Sequence, residues 1–240
     1  MTEFAQDNRF ATTRWSIVLR AGTRDENART ALETLCECYW QPLYFFLRRK
    51  GYTPEDAIDL VQGFIVTLLE KGQLGSLDQS RGRFRSYLMA ALMHYLSNER
   101  DRARAGKRGG NTATVSLDAM EAEQKYQLVA QDSKTPEDIF AKQWALGLLN
   151  RVLAEVGRSY DSPDQRPVFE ALKPTITGEL NETYAELAAT LDMTETAVKV
   201  AAHRLRRRYR EAFRATILDT LDSETTLEDE VNYLLKALTD

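Results

Sequence analysis

Apolar side chains recur at helical spacing in one stretch of this sequence after another, and no segment of useful length alternates polar with apolar residues. A chain patterned this way must fold as helices that each bury one face against their neighbours. Two of the helices announce their starts. Thr53-Pro54-Glu55-Asp56 places an N-cap threonine, a proline at the first helical position and two acids in the first turn. Behind it Ala57, Leu60, Val61, Phe64, Ile65, Leu68 and Leu69 form an apolar stripe. Thr135-Pro136-Glu137-Asp138 repeats those four residues, with Phe140, Trp144, Leu148, Val152 and Val156 behind it at the same period. Beyond the four shared residues the two helices are dissimilar, so one capping solution is used twice. A third stripe runs through Phe84, Tyr87, Leu88, Ala91, Leu92, Tyr95 and Leu96. A fourth runs through Leu32, Leu35, Tyr39, Trp40, Leu43, Phe46 and Leu47, where Pro42 is expected to kink or break the helix. Shorter helices are expected at residues 10–22 around Trp15, Val18 and Leu19, at Val168–Leu172, and through Val231, Leu234, Leu235 and Leu238. The expected fold class is all-α.

The stretch from Thr183 to Arg214, TYAELAATLDMTETAVKVAAHRLRRRYREAFR, adds charge to the pattern. Tyr184, Leu187, Ala188 and Leu191 line one face of a first short helix, and Val198, Ala201, Ala202, Leu205 and Tyr209 line one face of a second. Thr194 is a good N-cap between them, with Glu195 in the first turn where the helix dipole favours an acid. Asp192 stands at the turn position that usually needs glycine, and Asp tolerates the left-handed conformation better than most residues. The second helix carries Lys199, His203, Arg204, Arg206, Arg207, Arg208 and Arg210 on its open side. This is the layout of a helix-turn-helix, whose second helix lies in the major groove with its arginines on phosphates and base edges. The plainer alternative is a helical hairpin with an ordinary solvated basic face.

Net charge is −4 with an isoelectric point near 5.5, which by itself argues against a general nucleic-acid binder. The charge is unevenly distributed, however. From Asp219 onward there are seven acids (Asp219, Asp222, Glu224, Glu228, Asp229, Glu230, Asp240) and one base, Lys236, so the rest of the chain is slightly positive. The opening residues, MTEFAQDNRF, lack the basic-then-apolar pattern of a signal peptide, and the uncharged run from Ser86 to Asn98, interrupted by no acid or base, is too short to span a bilayer. A cytoplasmic location without membrane association is expected. Cys36 and Cys38, the only cysteines, are one residue apart and point to nearly opposite sides of a helix, and with only His94 and His203 besides no zinc site is expected. There is no nucleophile elbow, phosphate-binding glycine loop before a lysine, or His-Glu-x-x-His. No catalytic residue, metal or cofactor is expected, and the chain is read as not an enzyme.

Two basic segments containing aromatics, one in each half, remain to be explained. FRSYLMAALMHYLSNERDRARAGKR resembles the DNA-melting helix of bacterial RNA polymerase sigma factors of the extracytoplasmic-function type. TPEDAIDLVQGFIVTLLEK resembles their polymerase-binding helix, and TYAELAATLDMTETAVKVAAHRLRRRYRE their −35-reading helix-turn-helix, in the same order and over roughly residues 10–221. The resemblance implies a sigma region 2 domain over 1–108, a linker over 109–134 with a helical turn around Ala119–Leu128, and a sigma region 4 domain over 135–221. The last would be winged-helix-like without a wing, followed by an acidic helical extension over 222–240. It further implies that Asp56, Asp59, Leu60, Gln62 and Phe64 lie on or under the surface docking to the β′ clamp helices of core RNA polymerase, with the β flap as a second contact. Of the loop 73–83, Asp78, Ser80, Arg81 and Arg83 would cradle a base turned out of the −10 element, while His94, Asn98, Arg100, Arg102 and Arg104 contact the unpaired strand. Thr196, Lys199, Val200, His203, Arg204, Arg207 and Arg208 would meet the −35 duplex. Spacing alone makes Phe84, Tyr87 and Tyr95 core residues first.

The chain departs from the family where glutamate is usual and Ile58 stands here, and where a second acid is frequent and Gly63 stands here. Groups with this departure are associated with a Ser/Thr kinase. A phosphate on Thr53 would sit at a helix N-terminus and restore the missing charge, and Thr67 is the second candidate; an anti-sigma factor is the other regulator the resemblance implies. The acidic extension is expected either to pack on the C-terminal domain or to shield Arg204–Arg210. The alternatives carried beside promoter recognition are a helix-turn-helix regulator that never contacts polymerase and a helical protein-interaction module.

Overall fold

The structure, a computed structural model, describes residues 26–70, 83–104, 117–130, 133–218, 221 and 226–239. Every element among the described residues is helical. In chain order these are α1 (Glu26–Arg49), α2 (Pro54–Glu70), α3 (Phe84–Arg104), α4 (Leu117–Gln127), α5 (Pro136–Arg158), α6 (Gln165–Leu172), α7 (Pro174–Thr177), α8 (Tyr184–Thr190), α9 (Glu195–Leu218) and α10 (Leu227–Thr239). None is long and apolar enough to cross a membrane. The helix expected around Trp15 lies outside the described residues. The chain divides into two compact units, Met1–Gly147 with Asp219–Asp240, and Leu148–Leu218, so the division falls within α5.

The first unit is built around α1. Five successive residues, Leu43, Tyr44, Phe45, Phe46 and Leu47, are all buried, so this part of the helix is covered on every side rather than along one stripe. That burial explains why Pro42 does not break α1, which runs unbroken to Arg49. The expected break assigned the proline its usual cost of about 3 kcal/mol, and all-round packing outweighs it. Helix α2 opens as its sequence indicates, with the Thr53 hydroxyl accepting the Asp56 N–H at 3.1 Å. It buries Ala57, Ile58, Val61, Phe64 and Leu68, and Phe84, Leu88, Leu92 and Leu96 are the buried stripe of α3. Tyr39 of α1 meets Phe84 edge-on, ring centres 5.5 Å apart.

Residues 117–127, assigned from sequence to a linker, form a helix packed on α1. Among its described side chains the buried apolar ones are only Ala122 and Tyr126, too few to register as a period, and Tyr126 packs edge-on against Phe45 at 5.4 Å. Between them Glu123 receives Arg48 Nε and Nη2, both at 2.8 Å, and the Tyr44 hydroxyl. In the acidic extension, the Tyr233 ring centre lies 6.5 Å from that of Trp144 in α5. Helix α10 belongs to the first unit, and its Glu230, 1% exposed, pairs with Arg85 and Arg83 at the start of α3. A stripe of leucines pointed to an amphipathic helix but could not show that one acid on it faces inward.

The Arg48 guanidinium, aided by hydrogen bonds from Tyr44 and Gln127, holds the Glu123 carboxyl at about 2 against the opposing effect of burial. A depressed carboxylate adds stability that is complete above its ordinary value, about 4.3, and is lost as pH falls through the folded value. Glu123→Gln should therefore lower stability at neutral pH by about 1–3 kcal/mol, because it leaves Arg48 short of its anion. It should also flatten the acid limb of the stability profile between about pH 4.5 and 2. Thermal unfolding measured across pH checks both; a variant with the wild-type acid limb would exclude this pair as its source.

Candidate nucleic-acid interface

In the second unit α8 and α9 form the turn-linked pair read from the sequence, and each junction is fixed by hydrogen bonds. Thr183 and Glu186 make a capping box: the Glu186 N–H donates to the Thr183 hydroxyl oxygen at 3.3 Å, and the Thr183 N–H donates to the Glu186 carboxylate at 2.7 Å. The bonds from the Thr183 N–H and hydroxyl hold the Glu186 carboxyl below its usual range. At the turn Asp192 has φ +51°, the left-handed conformation expected of it, while the Met193 N–H reaches the Ala188 carbonyl at 2.9 Å. Thr194 then caps α9 by accepting the Ala197 N–H at 3.2 Å. Leu187, Ala188, Val198, Ala202 and Leu205 pack with Leu153, Val156, Phe169 and Leu172 into one core, with Tyr184, Leu191, Ala201 and Tyr209 at its edge. The Phe169 ring lies 2.8 Å from where a Cβ on Gly157 would be, which is how α5 and α6 approach so closely. The Tyr209 hydroxyl donates to the Leu149 carbonyl at 3.3 Å, and burial lifts its phenol to about 12, so it remains a neutral donor.

With Val198, Ala202 and Leu205 committed to the core, a period of 3.6 turns Thr196, Val200, His203 and Arg207 to the opposite side of α9, with Lys199 and Arg204 beside them. All six are exposed, and Val200 is 44% exposed amid polar and basic neighbours. The face so formed can pair with phosphates through its bases and offers a methyl-sized apolar contact for a thymine. Lys199 and Arg207 each touch a glutamate one turn away, Glu195 at 2.6 Å and Glu211 at 3.3 Å; such exposed pairs are weak and yield readily to a phosphate. Arg206 and Arg208 are oriented differently. Arg206 reaches the Tyr184 hydroxyl at 3.3 Å, and Arg208, one of the seven residues expected at a duplex, lies over the Tyr160 ring at 5.2 Å.

The first unit distributes its expected site residues unevenly. His94, Asn98, Arg100 and Arg102 are placed along α3, with His94, Asn98, Arg100 and Arg102 all exposed and Arg102 paired to Glu99 at 2.6 Å. Arg104 ends that helix, and Asp78, Ser80 and Arg81 lie outside the described residues. Arg83, expected to help cradle a base, is described: its side chain is 25% exposed and paired with Glu230, Nε at 3.2 Å. On α2, Asp56 and Asp59 are exposed, Gln62 is exposed, Leu60 is half-buried and Phe64 is core, 5.7 Å from the Tyr95 ring. Thr53 is exposed, whereas Thr67 is half-buried and donates its hydroxyl to the Gly63 carbonyl at 2.8 Å. Both departures from the resembled pattern have a packing explanation: Ile58 is buried, and Tyr95 stands over Gly63. Sequence reasoning missed Arg85, Glu230, Trp144 and Tyr233 as a cluster, because apolar periodicity is blind to a charge pair spanning 145 residues. No family model matches the chain, and no curated protein or solved structure matches it significantly.

A Cβ at Gly63 would press into the Tyr95 hydroxyl oxygen, far inside van der Waals contact, and would meet its Cζ at 3.4 Å. Gly63→Ala should therefore destabilise the protein by about 1–3 kcal/mol despite the better helix propensity of alanine. In a Tyr95→Phe background the nearest atom becomes the ring carbon, and the same substitution should be neutral or stabilising. Denaturant unfolding of the four-protein cycle decides it; equal effects in both backgrounds would contradict the contact.

Proposed function

We propose that this chain is an alternative sigma factor: it binds core RNA polymerase, recognises −35 and −10 promoter elements and helps open the DNA for transcription. The reading rests most on the face of α9, where six outward residues share one side of a helix fixed at its base by the Thr194 cap and a left-handed turn. A rigid helix exposing its basic face suits insertion into the major groove. The exposed His94, Asn98, Arg100 and Arg102 of α3 supply a second basic surface suited to an unpaired strand, and Asp56, Asp59 and Gln62 an acidic one suited to the β′ clamp helices. In this reading the chain has two helical domains, the second a winged-helix-like helix-turn-helix without a wing that also meets the β flap. The protein acts in the cytoplasm, without catalytic group or cofactor. Run-off transcription with core polymerase is the test. His203→Ala and Arg207→Ala should each reduce promoter-specific transcript severalfold, and Arg207→Ala should lower the salt slope of −35 duplex binding by about 0.9. Core-independent binding to a palindromic duplex with no transcript would instead favour a regulator that never contacts polymerase.

The same reading places a kinase switch at Thr53 rather than Thr67, because Thr53 is exposed and its hydroxyl only accepts from the backbone, whereas Thr67 is half-buried and donates its hydroxyl proton to Gly63. A phosphate there would add charge beside Asp56 and Asp59 on a face where Ile58 and Gly63 contribute none. Thr53→Asp should bind core polymerase about two- to fivefold more tightly than Thr53→Ala, measured by fluorescence anisotropy with labelled chain. Equal affinities would dismiss the switch and leave an anti-sigma factor as the regulator to seek.

A further inference from the structure

Helix α10 is attached by charge more than by apolar contact. Of its side chains only Glu230 and Leu234 are buried, and Leu235 is 55% exposed. Glu230 accepts from both terminal nitrogens of Arg85, Nη2 at 2.9 Å, and forms an ion pair with Arg83, whose Nε lies 3.2 Å away. The guanidinium of Arg85, a residue 6% exposed, touches both the Trp144 ring at 4.5 Å and the Tyr233 ring at 4.3 Å, and Arg83 lies 5.7 Å from the same tyrosine. Asp229, next to Glu230, is exposed and bound to the Thr226 N–H and hydroxyl at the start of the helix. Two guanidiniums thus converge on one buried carboxylate, with an indole beneath that of Arg85. Forked hydrogen bonding to an oxyanion beside an aromatic platform is also how proteins hold the phosphates and bases of a single strand.

We propose that α10 is an internal competitor: Glu230 occupies a site for single-stranded nucleic acid made by Arg83, Arg85 and Trp144, and the phosphates of a strand displace it. The proposal rests on the sigma-factor reading, which places the start of α3 against the opened −10 strand. Displacement uncovers both arginines at once, and a strand offers each its own phosphate where Glu230 offers one carboxylate to both. A helix of 13 residues is marginal once undocked, so α10 leaves without refolding elsewhere.

The probe is a fluorescein-labelled oligothymidylate, titrated into the full chain without polymerase. Glu230→Gln and Leu234→Ala, which weaken α10 through its charge and its apolar anchor, should each tighten binding about tenfold, and Glu230→Gln should steepen the salt slope by about 0.7 per phosphate gained. Adding Arg83→Ala to Glu230→Gln should abolish the gain. In the wild-type chain, saturation with the oligonucleotide should accelerate amide hydrogen exchange across residues 227–239, a readout independent of whether any variant folds. Unchanged or slowed exchange there, or absence of oligonucleotide binding by wild type and variants alike, overturns the proposal. Core-dependent transcription is scored separately: transcription with α10 still protected removes the competitor and leaves the sigma reading standing, whereas displacement without transcription does the reverse.

Discussion

The buried pair of Arg85 and Glu230 joins the start of α3 to a helix near the C-terminus, 145 residues away in sequence. Charges this deeply buried persist only when paired and hydrogen-bonded, and removing one partner of such a pair typically costs about 3–5 kcal/mol. The pair therefore dictates much around it. Tyr233 and Trp144 must present ring faces to the guanidinium, Thr226 and Asp229 must start α10 at the right residue, and Arg83 is drawn away from solvent. A second paired acid, the half-buried Glu123, plays a similar part between α4 and α1, with an arginine and a tyrosine hydroxyl completing its shell. Both acids sit in segments whose composition looks polar and solvent-facing.

These two clusters mark what apolar patterning could not show. Helices α2, α5 and α9 are legible from long apolar stripes behind threonine caps, α3 from its stripe alone, and the left-handed Asp192 from the short spacing between α8 and α9. Helix α4 was legible only as a helical turn around Ala119–Leu128, because among its described side chains just Ala122 and Tyr126 are buried apolar ones and its anchor is a carboxylate. Pro42 does not break α1 because its usual cost applies to a helix with one wet face, and α1 has none around Leu43–Leu47. The outward face of α9 was legible because the core stripe fixes the opposite side of any helix. The state of Arg83 was not, because no local pattern announces a partner from the far end of the chain.

Under the proposed function the protein divides one recognition task between two chemistries. The face of α9 suits a duplex, where groove edges and regularly spaced phosphates reward a rigid helix. The exposed polar and basic residues of α3 suit bases that have left the stack. The acidic surface of α2 is sparse because two of its positions serve packing: Ile58 fills the core and Gly63 makes room for Tyr95. A weak polymerase-docking face and an occupied Arg83 would both hold activity low until something changes, by added charge at one and by strand displacement at the other.

In the proposed function, duplex recognition and strand opening occur together and require core polymerase. Permanganate reactivity of thymines upstream of the transcription start measures this directly. Thymines in the −10 region should become reactive when the chain and core polymerase are both present, and with neither alone. A promoter protected by the chain in the absence of core, with no reactive thymines when core is added, would contradict it.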